Sequence, residues 1–331
     1  MIKRRRIPTL RLGTLGVAAA ILSGCGGMNS TNPMQSAEGL NAADVLAAGA
    51  GIKTPALLGV NGDGVLEYYP ITSHGGSNPK KIATLRGLYA AWSMVGNGTQ
   101  VAILNQGPPS VYLYDVASGK KKVLNDPFGS PVDIAIDKNA NLFVLNYETV
   151  NAGSIAMYPA GSSRAKELDC KYLGGGQGIA ADNEGDIFVN GFGKKGGGVT
   201  EISNGPHGLE PQNCKRLALL PEKGYPSGVA VDPKTDTLIV VDDPTRCAGG
   251  EEGRMTIYPK PYNKNTGHSV DLNGHCIGVI RLDSKSTRVF AVDATASGYA
   301  IVQRSYPDGK DMGAYVGDLR GMTTIPNTLP N

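Results

Sequence analysis

Short apolar runs recur along this chain about every 45 residues, and polar or turn-forming residues bound each run. The clearest copy reads Pro131-Val-Asp-Ile-Ala-Ile-Asp137, then Asn141-Leu-Phe-Val-Leu-Asn146, then Ser154-Ile-Ala-Met-Tyr-Pro159. The segments Gly178–Asp182 and Gly228–Asp232 repeat its first part. A period of roughly 40–50 residues with several β-rich runs in each copy is typical of a β-propeller. The pattern therefore predicts an all-β repeat fold.

Each repeat contains four runs that differ in character. The first carries small and β-branched residues, as in Gly228–Val231, and the second is continuously apolar, as in Leu238–Val241. The third ends in Tyr-Pro, and the fourth is alternating and more charged, as in Lys215–Leu220. Continuous apolar runs suit strands between neighbouring sheets, whereas alternation suits an outer strand with one wet face. We expect four-stranded blades with the first run innermost.

The third run marks the number of blades. Its positions are Tyr69-Pro70, Tyr114-Asp115, Tyr158-Pro159, Ile202-Ser203, Tyr258-Pro259 and Tyr306-Pro307. These six marks predict six blades, with five blades and flanking extra strands as the alternative. The first blade lacks an inner strand near Pro55, and Arg320–Pro326 has the right pattern to supply it. We therefore predict that the C-terminal strand closes the ring, which leaves no bare sheet edge.

The pattern Pro-x-Gly-Val-Ala-Val-Asp, followed by Leu-Ile-Val-Val-Asp, resembles the NHL-repeat propellers. The resemblance covers residues 55–326. The pattern is particularly similar to bacterial surface members of the family, whose third strand reads Ile-x-x-Tyr-Pro. A WD-type repeat is disfavoured because Trp92 is the chain's only tryptophan. The resemblance implies a fold more than a function, since such propellers include enzymes and binding modules.

The first 24 residues have the features of an export signal. Lys3–Arg6 are basic, Leu15–Leu22 form an apolar stretch too short to span a bilayer, and small residues follow. Leu22-Ser23-Gly24-Cys25 resembles the lipobox of bacterial lipoproteins, which implies cleavage before Cys25 and lipidation of its sulfur. An ordinary secretory signal is the alternative. Gly26, rather than Asp, follows Cys25, which in Gram-negative lipoproteins implies the outer membrane.

The segment 25–54 begins with small and polar residues and is predicted to be a flexible tether, with the propeller at 55–326 and a tail at 327–331. Without residues 1–24 the chain has 27 basic and 29 acidic residues, a formal charge of −2. No basic field remains to attract nucleic acid, so we expect no nucleic-acid partner.

One polar residue recurs near the end of each second strand. These six are Asn61, Asn105, Asn146, Asn190, Asp242 and Asp293. Such strand ends share one face of a propeller, so the side chains are candidates for a ligand-binding rim around the channel. Asn and Asp also end strands by bonding the local backbone, which is the structural alternative. We expect no cofactor and no bound metal. The alternative is a divalent cation bound at the channel mouth by these six oxygen-bearing side chains.

Other polar motifs are interpreted as turns. Aspartates close the inner strands at Asp137, Asp182, Asp232 and Asp283, on the face opposite the rim. Asn61-Gly-Asp-Gly64 resembles the start of a calcium loop, but Thr72 stands where a bidentate Glu belongs, so we predict a tight hairpin.

An enzymatic function requires reactive groups that the sequence supplies poorly. Gluconolactonase-like propellers hold a metal near the channel, but here Gln177, Ser227 and Ile277 occupy the matching inner-strand approaches. The four histidines are predicted to be divided between the two faces. Groups on opposite faces are too far apart to act as a general acid–base pair. We assign no catalytic residue.

Four cysteines remain besides Cys25, and an exported chain meets oxidising conditions. Cys247 and Cys276 lie in loops that share a face, which favours a Cys247–Cys276 disulfide. Cys170 and Cys214 remain for a second bond, each 12 residues after its third-strand mark.

The sequence therefore predicts a lipid-anchored propeller of the bacterial cell envelope that binds a protein or saccharide ligand. We expect partner contacts at the loops Tyr147–Gly153 and Asp243–Gly253, because loops on a rigid scaffold commonly carry recognition. The alternative is a periplasmic propeller enzyme, a lactonase, hydrolase or lyase acting at the channel mouth.

Overall fold

The described strands form six separate antiparallel sheets of four strands each. The computed structural model describes residues 56–71, 80–85, 88, 90–97, 100–115, 120–149, 152–193, 196–219, 224–243, 253–272, 276–295 and 298–325. The inner strand of each sheet contacts the inner strand of the next sheet, all the way round the ring. The protein is a six-bladed β-propeller, as the repeat predicted.

Blades 1 to 3 contain β1 to β11 and the last strand of the chain. Blade 1 consists of β24 (Leu319–Ile325), β1 (Ala56–Asn61), β2 (Val65–Pro70) and β3 (Lys80–Thr84). Blade 2 consists of β4 (Ala91–Gly96), β5 (Gln100–Gln106), β6 (Pro109–Asp115) and β7 (Lys121–Asn125). Blade 3 consists of β8 (Ser130–Ile136), β9 (Leu142–Thr149), β10 (Ala152–Tyr158) and β11 (Lys166–Leu168).

Blades 4 to 6 follow in chain order, each from inner to outer strand. Blade 4 consists of β12 (Gly176–Ala181), β13 (Ile187–Gly193), β14 (Gly196–Gly205) and β15 (Gly208–Arg216). Blade 5 consists of β16 (Tyr225–Val231), β17 (Leu238–Asp243), β18 (Arg254–Tyr258) and β19 (His268–Asp271). Blade 6 consists of β20 (Ile277–Leu282), β21 (Arg288–Thr295), β22 (Gly298–Ser305) and β23 (Asp311–Val316).

The C-terminal strand closes the ring as predicted. β24 pairs antiparallel with β1, with Ala56 opposite Ile325 and Val60 opposite Gly321. This pairing satisfies the edge of β1 that would otherwise be bare, so the two ends of the propeller form one sheet.

The continuous apolar runs in the sequence form the second strands, which are buried between neighbouring blades. Every residue of β17 is buried, and Phe143 and Phe290 on β9 and β21 have no exposed surface. Their side chains fill the wedges between neighbouring blades, for example where Phe143 on blade 3 joins one core with Val189 on blade 4. The core therefore lies between blades rather than within any single sheet.

One strand boundary differs from the prediction. The fourth strand of blade 4 was expected at Lys215–Leu220, but β15 ends at Arg216. The strand starts earlier because Gly205 and Gly208 pair across a tight hairpin. Leu217 and Leu219 pack instead against the core between blades 4 and 5.

The connections divide the disc into two faces. First-to-second and third-to-fourth connections lie on one face, which we name the turn face. Second-to-third and fourth-to-first connections lie on the other, which we name the loop face. The predicted signal peptide, Cys25, the tether and the tail lie outside the described residues. Within the described ranges, no helix has the length and apolar character needed to cross a membrane.

Candidate functional site

Aromatic side chains are unevenly divided between the two faces. Within the described ranges, seven partly or largely exposed rings lie on the loop face, at Trp92, Phe128, Tyr147, Tyr172, Phe192, Tyr225 and Tyr299. The turn face carries two, Tyr262 and Tyr306, and the Tyr262 hydroxyl donates a hydrogen bond to the Asp236 carbonyl (2.7 Å). Tyr172 is the most exposed tyrosine on the loop face, at 40%.

A β-bulge in every blade shapes the centre of the loop face. The inner strand shifts register against the second strand near its first residues, with Trp92, Val132, Gln177 and Arg320 as the extra residues in blades 2, 3, 4 and 1. Blades 5 and 6 shift register at the same end. Bulges re-aim side chains, and here Val132 packs against the core between blades 3 and 4.

Arg320 lies beside two of the exposed rings. Its Cζ is 6.0 Å from the centroid of the Trp92 ring and 5.2 Å from that of the Tyr299 ring. Gly62 makes room for the guanidinium, since a Cβ there would lie 2.9 Å from Cζ. The Nε atom of Arg320 is buried and has no hydrogen-bond acceptor among the described residues.

Deeper in the channel, a charged pair crosses the axis. Arg281 on blade 6 donates from Nη2 to Asp133 Oδ1 on blade 3 (3.0 Å) and to Ser93 Oγ on blade 2 (3.2 Å). Ser93 Oγ donates to Asp133 Oδ1 at 2.6 Å, and the Ile179 amide of blade 4 donates to Oδ2 at 3.0 Å. Asp133 is completely buried. Four blades therefore meet at one carboxylate, below the loop-face mouth.

The inner strands approach closely because one register position holds a small residue in four of the six blades. Gly178, Gly228, Gly321 and Ser93 share this position with Asp133 of blade 3 and Val279 of blade 6. A Cβ on Gly228 would lie 2.5 Å from the Gly278 carbonyl oxygen, so a side chain has no room there. Asp133 is accommodated because its carboxylate points to Arg281. An aspartate where Gly178 and Gly228 stand in blades 4 and 5 is the sequence signal for this network.

The six predicted rim residues have local hydrogen-bond partners or buried surroundings. Asn61 Oδ1 accepts from the Asp63 and Val65 amides (3.0 and 2.8 Å), which confirms the predicted hairpin at 61–64. Asn105, completely buried, accepts from the Ala90 amide (3.2 Å) and donates to the Pro108 carbonyl (2.9 Å).

The other four rim residues are buried as well. Asn190 Nδ2 donates to the Val241 carbonyl of the next blade (3.0 Å). Asp242 holds Arg254 through two hydrogen bonds, at 2.7 and 3.1 Å. Asp293 accepts from the Cys276 amide at 3.0 Å. These contacts join strands and blades, and a ligand-binding role for the six stays a prediction.

Asn146, the remaining rim residue, lies beside a second buried carboxyl group. Its Nδ2 is 3.4 Å from Asp126 Oδ1, which also accepts from the Phe128 amide at 3.0 Å. Asp126 Oδ2 and Asn146 Oδ1 are buried without a hydrogen-bond donor among the described residues. Burial raises the pKa of Asp126, and the hydrogen bonds from Phe128 and Asn146 only partly offset that effect.

The aspartates of the turn face act as the sequence predicted. Asp137 Oδ1 accepts from the Asn139 and Asn141 amides (2.9 and 2.8 Å), and Asp283 Oδ1 accepts from the Thr287 amide (2.7 Å). Asp182 and Asp232 make equivalent bonds to the amides two residues ahead. Each carboxylate accepts hydrogen bonds from backbone amides of its own turn and so stabilises that turn.

Three turn-face acids of blade 4 surround a lysine of blade 5. Asp182, Glu184 and Asp186 have ligand oxygens within 4.8 Å of one another. Lys260 Nζ lies 3.3 Å from Asp182 Oδ2 and 3.2 Å from Glu184 Oε1. Burial lowers the pKa of Lys260, but the hydrogen bond to Glu184 and the charge of Asp182 raise it by more. The ammonium group supplies the positive charge at this cluster.

The disulfide between Cys170 and Cys214 is present, as predicted, with a Cα–Cα distance of 6.2 Å. It joins the segment after β11 to β15, so it links the outer edges of blades 3 and 4. Cys276 is also disulfide-bonded. Cys247 lies outside the described residues, so the Cys247–Cys276 pair stays a prediction.

No model of a known protein family matches the sequence, and no curated protein matches it. A chain in the crystal structure of a nidogen/laminin complex is similar in fold, with a TM-score of 0.64 at 16% identity over 83% of this chain and 99% of that one. TolB from Acinetobacter baumannii has a TM-score of 0.58 at 13% identity, over 82% of this chain and 66% of that one. Hydrazine synthase of Kuenenia stuttgartiensis has a TM-score of 0.50 at 14% identity, over 67% and 66%. These low identities show a shared propeller fold alone.

Proposed function

We propose that this protein is a lipid-anchored, NHL-type propeller of the bacterial cell envelope that binds a partner protein through its loop face. The uneven distribution of exposed rings carries the proposal: seven lie on the loop face and two on the turn face, within the described ranges. Tyr, Trp, Phe and Arg are the residues that protein interfaces favour, because their large, stiff side chains bury much surface at little entropic cost.

The scaffold suits a preorganised interface. Links between neighbouring turns, such as the hydrogen bond from Asn183 Nδ2 to Asp236 Oδ1 (2.9 Å), fix the turn face across blades. The pair Arg281–Asp133 fixes the inner strands across the axis. Groups held on a rigid frame lose little freedom on binding, so more of the contact energy appears as affinity.

The anchor and the compartment rest on different residues. The basic and apolar segments before Cys25 support export and lipidation. The disulfides at Cys170–Cys214 and at Cys276 fit an oxidising compartment. Several acyl chains on Cys25 would hold the protein on a membrane, which we propose is the outer membrane because Gly26 is not aspartate.

Site-specific photocrosslinking in intact cells tests the binding face. A photoreactive residue at Tyr172 on the loop face is compared with one at Lys285 on the turn face, both exposed positions. We expect one discrete adduct from position 172 and none from position 285. Equal adducts from both positions, or no adduct from position 172 and further loop-face positions such as Tyr147, would contradict the proposal.

Membrane fractionation tests the anchor separately. Cys25→Ser should release the protein into the soluble extracytoplasmic fraction, since no sulfur remains for acylation. The matched change Ser23→Ala keeps a lipobox-like sequence and should leave the protein in the membrane fraction. Membrane retention of Cys25→Ser would exclude lipidation at that residue.

A further inference from the structure

We infer that Arg320, with Trp92 and Tyr299, forms a binding site for a carboxylate group of an acidic segment on the partner protein. The inference rests on the proposed binding function of the loop face. It adds the position of the contact, on the loop face where residues of blades 1, 2 and 6 meet, and the chemistry that the partner must present there.

Arg320 is a charged group with unused hydrogen-bonding capacity. None of the ion pairs formed among the described residues includes it. Its Nε is buried without an acceptor, although buried N–H groups are almost always paired. Other arginines nearby are engaged: Arg254 with Asp242, and Arg281 with Asp133. An acceptor supplied by a ligand would satisfy Arg320.

The surroundings hold the guanidinium in place for such a ligand. The Trp92 and Tyr299 rings lie against it, at 6.0 and 5.2 Å. Rings beside a guanidinium orient it but accept no hydrogen bond in its plane. The β1–β2 turn approaches the guanidinium at Gly62, where a Cβ would lie 2.9 Å from Cζ. A guanidinium matches a carboxylate, with which it forms charge-assisted hydrogen bonds.

A protein carboxylate fits this site better than a saccharide ring. Sugars bind by lying on an open aromatic face, but the guanidinium already lies against Trp92 and Tyr299. An Asp or Glu side chain needs only hydrogen-bonding contact with the guanidinium, whereas a sugar ring needs an open aromatic face.

The site contains its own spectroscopic probe, because Trp92 is the only tryptophan of the chain. The purified protein is titrated with a capped (Glu-Gly)3 peptide while Trp92 fluorescence is recorded. Capped (Gln-Gly)3, a galacturonate hexamer and inorganic phosphate are titrated in parallel. Arg320→Gln removes the charge, Arg320→Lys keeps the charge without the planar fork, and Lys171→Met removes a different exposed charge from the loop face.

We expect saturable binding of (Glu-Gly)3 and none of (Gln-Gly)3. Arg320→Gln should weaken binding about tenfold or more, Arg320→Lys less, and Lys171→Met less than about twofold. Unchanged affinity in Arg320→Gln, or in Arg320→Lys should Arg320→Gln not fold, would overturn the inference. A fluorescence response to the galacturonate hexamer or phosphate but not to the glutamate peptide would overturn it as well.

The crosslinking experiment separates this inference from the proposed function. A persistent adduct at Tyr172 with no peptide binding at Arg320 would remove the carboxylate site and leave the binding face intact. Loss of both would remove both.

Discussion

The turn face and the loop face of this propeller are built from different chemistry. On the turn face, aspartates such as Asp137 and Asp283 are buried and bonded to backbone amides, and the exposed rings are few. On the loop face, rings such as Trp92 and Tyr172 are partly or largely exposed, and Arg320 has an unpaired Nε. Carboxylates that accept from backbone amides contribute to folding, whereas exposed rings and an arginine without an ion pair have surface to offer a partner.

Ring closure is the strongest test of this difference, because both faces depend on it. Deletion of residues 319–331 removes β24 and leaves one edge of β1 unpaired. We expect loss of cooperative unfolding in urea and loss of the Tyr172 crosslink together. Deletion of 327–331 alone, which keeps β24, is the matched control and should behave like the parent. A cooperative transition in the longer deletion would show that blade 1 is dispensable.

The closure was predictable because it depends on local pattern and count. Six third-strand marks and one missing inner strand left a single place for Leu319–Ile325. Each mark is set by residues near in sequence, where Tyr-Pro ends a strand because proline cannot donate to the ladder.

The contacts at the axis were not predictable in the same way. Asp133 and Arg281 are 148 residues apart, and only the closed ring of six places blade 3 opposite blade 6. The sequence shows two departures from the repeat, an acid in place of glycine and an arginine where blades 4 and 5 have Ala180 and Ala230. Neither departure identifies its partner.

The candidate site was missed for a related reason. Trp92 and Arg320 are the extra residues of bulges in their inner strands, and the repeat pattern does not show that these two side chains come together. A bulge depends on pairing between strands, which hydrophobic periodicity does not report.

The pair across the axis gives the next largest expected effect. Asp133→Ala should lower the free energy of unfolding by about 3–5 kcal/mol, because it leaves the Arg281 guanidinium buried and unpaired. Urea titration followed by circular dichroism measures the loss. The double variant Asp133→Gly with Arg281→Ala places the blade-5 residues Gly228 and Ala230 at these two positions and should recover most of the loss. Additive losses in the double variant would show that the two charges are not coupled.

A matched pair of single changes compares the faces directly. Asp137→Ala removes the acceptor for the amides of Asn139 and Asn141 and should cost about 1–3 kcal/mol. Tyr172→Ser removes an exposed ring and should change stability by less than about 0.5 kcal/mol while reducing crosslinking from Tyr147. Asp137→Asn retains one acceptor oxygen, so its free energy of unfolding in chemical denaturation should lie between those of Asp137→Ala and Tyr172→Ser. The reverse order of stabilities would invert the roles assigned to the two faces.

The smallest expected change in stability concerns Asp126 on the loop face. Its Oδ2 atom is buried without a hydrogen-bond donor among the described residues. Burial raises its pKa in the folded protein above that in the unfolded chain. The folded state therefore holds the proton more tightly, and stability falls as pH rises through the folded pKa. Asp126→Asn carries no charge to bury, so at pH 8 its free energy of unfolding should exceed that of the parent by on the order of 1 kcal/mol. Its melting temperature at pH 8 should be correspondingly higher.

The two proteins should converge at acid pH, where the Asp126 carboxyl is protonated. Asp169→Asn, a change at an exposed acid of the same face, should show no such difference across the pH range. If Asp126→Asn were less stable than the parent at pH 8, the carboxylate would be stabilising in the folded state. Asp126 would then belong with the aspartates of the turn face, and the contrast between the faces would rest on the exposed rings and Arg320 alone.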